Sequence, residues 1–193
     1  MPKNHIVILN GPPGCGKDAM AKWFTRMWEY GHLAFKEPIL DTVLQLTGIP
    51  SDEWFERYDN RDLKEKPWDR INGMSCRELM IHVSESVIKK IHGPEYYGKV
   101  LGEQIKAGKD YVFSDGGFVS EIKALKEKTC LTHEVYVVRI FRQDCEFKGD
   151  SRSYVNHNEI PGVKGFSVIN YEDDCLGTVL KIKELMDRGY NEK

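Results

Sequence analysis

The 193-residue chain lacks any apolar run long enough to cross a bilayer, and no basic leader followed by an apolar stretch opens it. A membrane span and a signal peptide are therefore not expected. It lacks C-x-x-C and H-E-x-x-H motifs, and its five cysteines (Cys15, Cys76, Cys130, Cys145, Cys175) are odd in number and widely spaced. That argues against a disulfide framework or a structural zinc site, and points to a reducing cytoplasm. Neither sign of charge dominates: 28 Lys and Arg face 30 Asp and Glu, for a net charge of −2. The strongly basic footprint of a non-specific nucleic-acid binder is missing, although a local basic patch stays open. No internal repeat or low-complexity segment appears. With 40% apolar and 30% charged residues, the chain has the balance of a soluble globular protein able to bury a substantial core in one domain.

What is present is concentrated early. His5-Ile6-Val7-Ile8-Leu9-Asn10 reads as a buried strand. Gly11-Pro12-Pro13-Gly14-Cys15-Gly16-Lys17-Asp18 follows, and then Ala19, Met20, Trp23, Phe24, Met27 and Trp28 recur at helical spacing. Strand, glycine loop and helix are the context in which G-x-x-x-x-G-K cradles phosphate. Glycines let backbone N–H groups face an anion, and the helix N-terminus adds partial positive charge. Lys17 is placed to reach the β- and γ-phosphates. Asp18 stands where a Ser or Thr usually touches Mg²⁺. Cys15, inside the loop, is expected to be shielded by bound ATP.

Downstream, His32 to Phe35 reads as a short strand, and Ile39, Leu40, Val43 and Leu44 as a helix ended by Gly48-Ile49-Pro50. Residues 51–74 interleave Trp54, Phe55, Tyr58 and Trp68 with Arg57, Asp59, Arg61, Arg70 and other charges. Two readings stand: a solvated helix–turn that packs its rings onto the domain, or an acceptor-binding insertion with rings to stack a base and arginines to hold phosphate. Ser75-Cys76-Arg77-Glu78 is a capping box opening a helix to Ile91. Arg77 in its first turn is either a surface arginine or the partner of an anion. Tyr97, Val100, Leu101 and Ile105 suggest another helix. Asp110 to Asp115 reads as a buried strand ending in a carboxylate, followed by Gly116-Gly117 and a helix carrying Glu121. Glu134 to Phe141 is a strand leading into a polar run from Arg142 to Arg152, either a lid with phosphate-facing arginines or a flexible loop. Phe166 to Asn170 is the last strand, with Asn170 expected near a nucleotide base, and Leu176 to Met186 the last helix. The alternation predicts an α/β protein: a three-layer parallel β-sheet with helices on both faces and ligands at the strands' carboxyl ends.

These residues resemble the phage deoxynucleoside monophosphate kinases, within the P-loop nucleoside/nucleotide kinase fold. Gly16-Lys17-Asp18, Phe35 to Leu40, Arg77-Glu78-Leu79-Met80, the strand ending at Asp115 with Glu121 beyond it, Val138-Arg139 and Ile169-Asn170 carry the likeness over nearly the whole chain. The resemblance implies a helical acceptor-binding region at about 36–108 and a lid at about 142–165 within a single domain at 1–193. It implies ATP and Mg²⁺, bound through Gly11, Pro12, Pro13, Gly14, Cys15, Gly16, Lys17, Asp18, Ala19 and Asn170. Lys17, Asp115, Arg142 and Arg152 would be catalytic, with Asp18 and Asp115 organising the metal. Lys36, Arg57, Asp59, Arg61, Arg77, Gly116 and Gly117 would face the acceptor, a deoxynucleoside monophosphate. A homodimer acting in the cytoplasm, that of the host if phage-encoded, fits this picture.

Two departures stand out. The group commonly has Asp-x-Arg at the strand end, where this chain has Asp115-Gly116-Gly117. Its usual glutamine four residues beyond the helix-opening arginine is Ile81 here. The glycine pair also makes room for a bulkier acceptor. Related phage kinases phosphorylate the hydroxymethyl group of 5-hydroxymethyluracil in DNA, which requires an exposed base. A small-metabolite kinase and a non-transferring nucleotide switch are the remaining alternatives.

Overall fold

A computed structural model describes residues 3–148, 152–171 and 174–192, apart from the side chain of Arg61. Residues 149–151 of the expected lid lie outside the described residues. Two compact units form: one from residues 1–35 with 97–193, the other from 36–96.

The first unit is built on a parallel sheet in the order β2-β3-β1-β4-β5. Its strands are β1 (Asn4–Asn10), β2 (Gly31–Leu33), β3 (Tyr111–Phe113), β4 (His133–Phe141) and β5 (Val163–Ile169). β1 is central, pairing with β3 through Ile6 to Ile8 and with β4 along its whole length. A near-unbroken apolar strand belongs there, because both of its faces are covered. Val7 and Leu9 join one core with Met20, Ala21 and Phe24 of α1 (Lys17–Trp28) and Val179, Ile182 and Met186 of α9 (Cys175–Asp187). Ile6 and Ile8, displaced by one residue, point to the other face by the two-residue period of a strand. There α8 (Val119–Thr129) contacts β4. Gly98 of α7 (Tyr96–Gln104) comes so close to the Glu121 carbonyl that any side chain at 98 would collide. Residues 97–108, expected with the acceptor region, therefore pack in the sheet unit.

The second unit is helical: α2 (Lys36–Thr47), α3 (Ser51–Tyr58), α4 (Arg61–Lys64), α5 (Cys76–Ile81), a π-helical stretch His82–Ile88, and α6 (Lys89–His92). The capping box forms as read. Ser75 Oγ accepts from Glu78 N at 3.2 Å, and Glu78 Oε2 accepts from Ser75 N at 2.8 Å. The wide turns that follow bury Ser84, whose Oγ donates to Glu85 Oε1 at 3.0 Å; Lys89 Nζ reaches the same oxygen at 2.8 Å. Trp54 is wholly buried and packs with Val43, Ile49, Ile71, Cys76, Met80 and Val83. Tyr58 stacks on it at 6.2 Å, and Trp68 lies 6.0 Å away. Trp54 lies in this unit's own core, and Tyr58 and Trp68, half-buried, pack against it. Of the four aromatics expected to offer a stacking surface, Phe55 is exposed, Tyr58 and Trp68 are half-buried and Trp54 is buried. A unit of about 60 residues has little apolar area to spare, so its largest rings go inward.

Candidate active site

β1 ends at Asn10, and the loop to α1 turns on Gly14 (φ 82°) and Gly16 (φ 102°), left-handed conformations that glycine adopts freely. Gly11 is small for another reason. A Cβ there would meet Cys15 Sγ at 2.7 Å and the Ile140 carbonyl at 2.8 Å. Pro12, buried, and Pro13, exposed, carry the chain between these glycines. The loop feeds directly into α1, whose first-turn amides have no intrahelical acceptor. Asp18 and Ala19 are exposed in that turn, where a carboxylate complements the dipole.

Lys17 folds back over the loop. Its Nζ donates to the Gly11 and Pro12 carbonyls, both at 2.7 Å, and lies 3.5 Å from Cys15 Sγ. The side chain is only 8% exposed, and no carboxylate among the described residues pairs with it. A buried ammonium held by carbonyl dipoles alone is costly unless an anion completes it. The Cys15 side chain packs in the core beside the Lys17 ammonium, and burial pushes its thiol up. Shielding by a ligand is therefore not what hides this thiol; the fold hides it first.

Asn170, expected beside the base, is spent on the loop. Its Nδ2 donates to the Cys15 carbonyl at 2.8 Å, and its Oδ1 accepts from Thr178 Oγ1 at 3.3 Å. It braces the loop from the end of β5. Arg142 does lie at the loop: its Nη1 is 4.0 Å from where a Cβ on Gly16 would sit. Cys145 Sγ is similarly 3.6 Å from the Cβ position of Gly14.

On the other side of β1, Asp115 is buried just beyond β3, and its Oδ1 accepts from Phe35 N at 2.6 Å. His32 Nε2 and Ser114 Oγ lie 2.8 Å apart next to it. The space beside the glycine pair, expected to admit a bulky acceptor, is occupied where a side chain would start. A Cβ at Gly116 would meet Ile8 Cγ2 at 2.5 Å. One at Gly117 would meet Arg152 Cβ, Cγ and Cδ at 2.6, 2.7 and 3.0 Å. The aliphatic stem of Arg152 fills the space over Gly117.

The residue that sequence reading missed is Asn10. Completely buried, its Nδ2 donates to the Gly116 carbonyl at 2.7 Å and to the Ser153 carbonyl at 3.0 Å, while its Oδ1 accepts from Val155 N at 2.8 Å. A lone amide ending an otherwise apolar buried strand was the available signal.

Gly11 to Ala19, Asp115, Gly116, Gly117, Arg142, Arg152 and Asn170 all belong to the sheet unit; Lys36, Arg57, Asp59, Arg61 and Arg77 belong to the helical one. There, Arg57 Nη2 donates to the Lys66 carbonyl at 3.0 Å and the Pro67 carbonyl at 2.7 Å, with its guanidinium 5.2 Å over the Trp68 ring. Arg77 pairs with Glu65 of its own unit at 3.6 Å. Lys36 opens α2, and Asp59 is exposed at the end of α3. The Arg61 side chain is outside what the structure describes.

Among the described residues no cluster of three or more His, Cys, Asp or Glu could hold a metal. Asp18 and Asp115 are at most two carboxylates, a set that fits Mg²⁺ arriving with nucleotide oxygens and water rather than a cage made by protein. No helix among the described residues is long and apolar enough to cross a membrane.

No protein-family model matches the chain, and a comparison with curated proteins gives no match. Among solved structures it is similar to a presumed kinase from Chloroflexus aurantiacus, at 11% identity over 98% of this chain and 99% of that one, with a TM-score of 0.50. A dephospho-CoA kinase from Campylobacter jejuni matches at 14% identity over 97% and 99%, with a TM-score of 0.47. A shikimate kinase from Bacteroides thetaiotaomicron matches at 11% over 96% and 99%, with a TM-score of 0.42. At such identities the first likeness speaks for the fold alone: a parallel α/β sheet covered by helices, which this chain has.

Proposed function

We propose that this protein is an ATP-dependent phosphotransferase whose acceptor is a small nucleotide, a deoxynucleoside monophosphate. The observation that carries the donor half is Lys17, a buried ammonium between a glycine loop and a 12-residue helix, with carbonyl and thiol partners and no carboxylate paired with it among the described residues. Such a group is built to meet phosphate. Arg142 beside Gly16 adds a second cation where charge develops on a transferring phosphoryl group. Phe141, Ile169 and Tyr171 stay exposed at the carboxyl ends of β4 and β5, apolar surface that a donor base can cover. The fold of the Chloroflexus aurantiacus structure, described as that of a presumed kinase, is compatible with this reading.

Asp18 and Asp115 would hold Mg²⁺ on the nucleotide, through oxygens or waters. The ion would supply neutralisation of the phosphate oxygens. A monophosphate acceptor brings its own nucleophilic oxygen and needs no strong base. The acceptor class is supported by the sequence resemblance. Trp54 is buried with Tyr58 and Trp68 half-buried against it, and the space beside Gly116-Gly117 is filled, which favours a free nucleotide over a base in DNA.

The test is ATP labelled at its γ-phosphate, offered to each deoxynucleoside monophosphate and to DNA with and without hydroxymethylated pyrimidines. Label in a nucleoside diphosphate is expected. Label retained on the polymer transfers the assignment to DNA, and consumption of ATP that no acceptor stimulates makes the protein a nucleotide switch.

A further inference from the structure

The polar run 142–152 was expected to bring two arginines to one lid. The fold separates them. Arg142 follows β4 and lies against Gly16 of the phosphate loop. Arg152 lays its stem on Gly117, which follows β3. In the order β2-β3-β1-β4-β5 those strands flank β1 on opposite sides, with the loop leaving β1 between them.

Arg152 is also anchored. The two hydrogen bonds of Asn10 to Ser153 O and Val155 N fix the backbone next to it, and the bond from the same amide to Gly116 O fixes the surface under its stem. Between them Tyr154 donates to the Ile140 carbonyl at 3.1 Å and stacks on Phe141 at 4.4 Å. One buried amide thus ties together the end of β1, the turn after β3 and the backbone that carries the arginine. A guanidinium on so fixed a stem is preorganised, and its planar fork suits a phosphate or carboxylate.

We infer that Arg152 reads an anionic group of the acceptor on the β3 side of the phosphate loop, and that Asn10 is its positioning residue, while Arg142 alone serves the donor. The word acceptor rests on the phosphotransferase reading; the two-sided anion recognition does not.

The experiment follows arginine Nε–H signals by NMR in isotope-labelled protein, assigned with Arg142→Lys and Arg152→Lys. A β,γ-imido ATP analogue is added first, to fill the loop through the γ-phosphate, and inorganic phosphate is then titrated in. The Arg142 signal should move with the analogue. The Arg152 signal should stay in place and then move with phosphate. Asn10→Ala and Gly117→Ala should each weaken the phosphate response at least tenfold, broaden the Arg152 signal and leave analogue affinity within twofold.

Gly117→Ala removes no hydrogen bond and acts at a position with no left-handed φ, so it carries the test if Asn10→Ala fails to fold. An Arg152 signal that moves with the analogue and ignores phosphate overturns the inference. An unchanged phosphate response in Gly117→Ala overturns the positioning role. No turnover is required, so failed transfer to nucleotides would remove the phosphotransferase reading without touching this result.

Discussion

The phosphate loop and segment 51–74 both looked functional in sequence, and their charged groups have opposite fates. In the loop, the ammonium of Lys17 is buried against carbonyls with no counter-charge among the described residues. In the segment, Arg70 meets the carboxylate of Glu53 and the half-buried Arg57 holds two carbonyls and the face of the Trp68 ring, while Arg77 just beyond the segment meets Glu65. The difference teaches how to tell a site from a scaffold. A charge that meets a counter-charge within its own unit holds structure; a buried ammonium held by carbonyls, with no carboxylate opposite it, is the better candidate for a ligand contact.

The largest effect expected from that contrast is at Lys17. Lys17→Met should lower phosphoryl transfer by about a thousandfold while its midpoint in urea stays level or rises, because an uncompensated buried charge is removed. Stability falling together with activity would make Lys17 part of the scaffold and break the comparison. Next comes the core of the helical unit. Trp54→Ala should cost about 3–5 kcal/mol in urea unfolding, from the cavity it leaves. The neighbouring, partly exposed Phe55→Ala should cost less, about 1–2 kcal/mol, and a rise in acceptor KM on that change would return one ring of the segment to a binding role.

Arg57→Met is expected to cost about 1 kcal/mol and to leave acceptor KM unchanged; a tenfold rise would make this arginine a ligand contact. The smallest effect is at the helix cap. Hydrogen bonds from Ser75 hold the Glu78 carboxyl below its ordinary range. A depressed folded value gives stability that is present above the unfolded pKa and lost as pH falls through the folded one. Glu78→Gln should therefore flatten the acid side of the stability profile, as followed by urea midpoints from neutral pH down to about pH 3.

Much of this was legible because it is local. Glycines at 14 and 16, a lysine at 17, an apolar strand before and an amphipathic helix after need only the chain's near neighbours to be recognised. The capping box at Ser75 and Glu78 is local for the same reason. Asp115 at a strand end was found by its run of apolar neighbours. What escaped depended on distant partners. Asn10 reaches across 143 and 145 residues to Ser153 and Val155, and Asn170 across 155 residues to Cys15. No spacing rule encodes such pairs. The segment 51–74 stayed open between two readings because its ring content is the same whether the rings face a ligand or one another.

The order of residues by itself determined the parallel α/β class and the glycine loop that opens α1, since periodicity and glycine conformation act within a few residues. Only the tertiary structure decided which polar groups are already satisfied and on which side of β1 each arginine falls. Those outcomes depend on strand order, with β3 placed between β1 and β2 although it comes 78 residues after β2 ends, and on whether a side chain finds its hydrogen-bond partner inside the fold or must find it in a ligand.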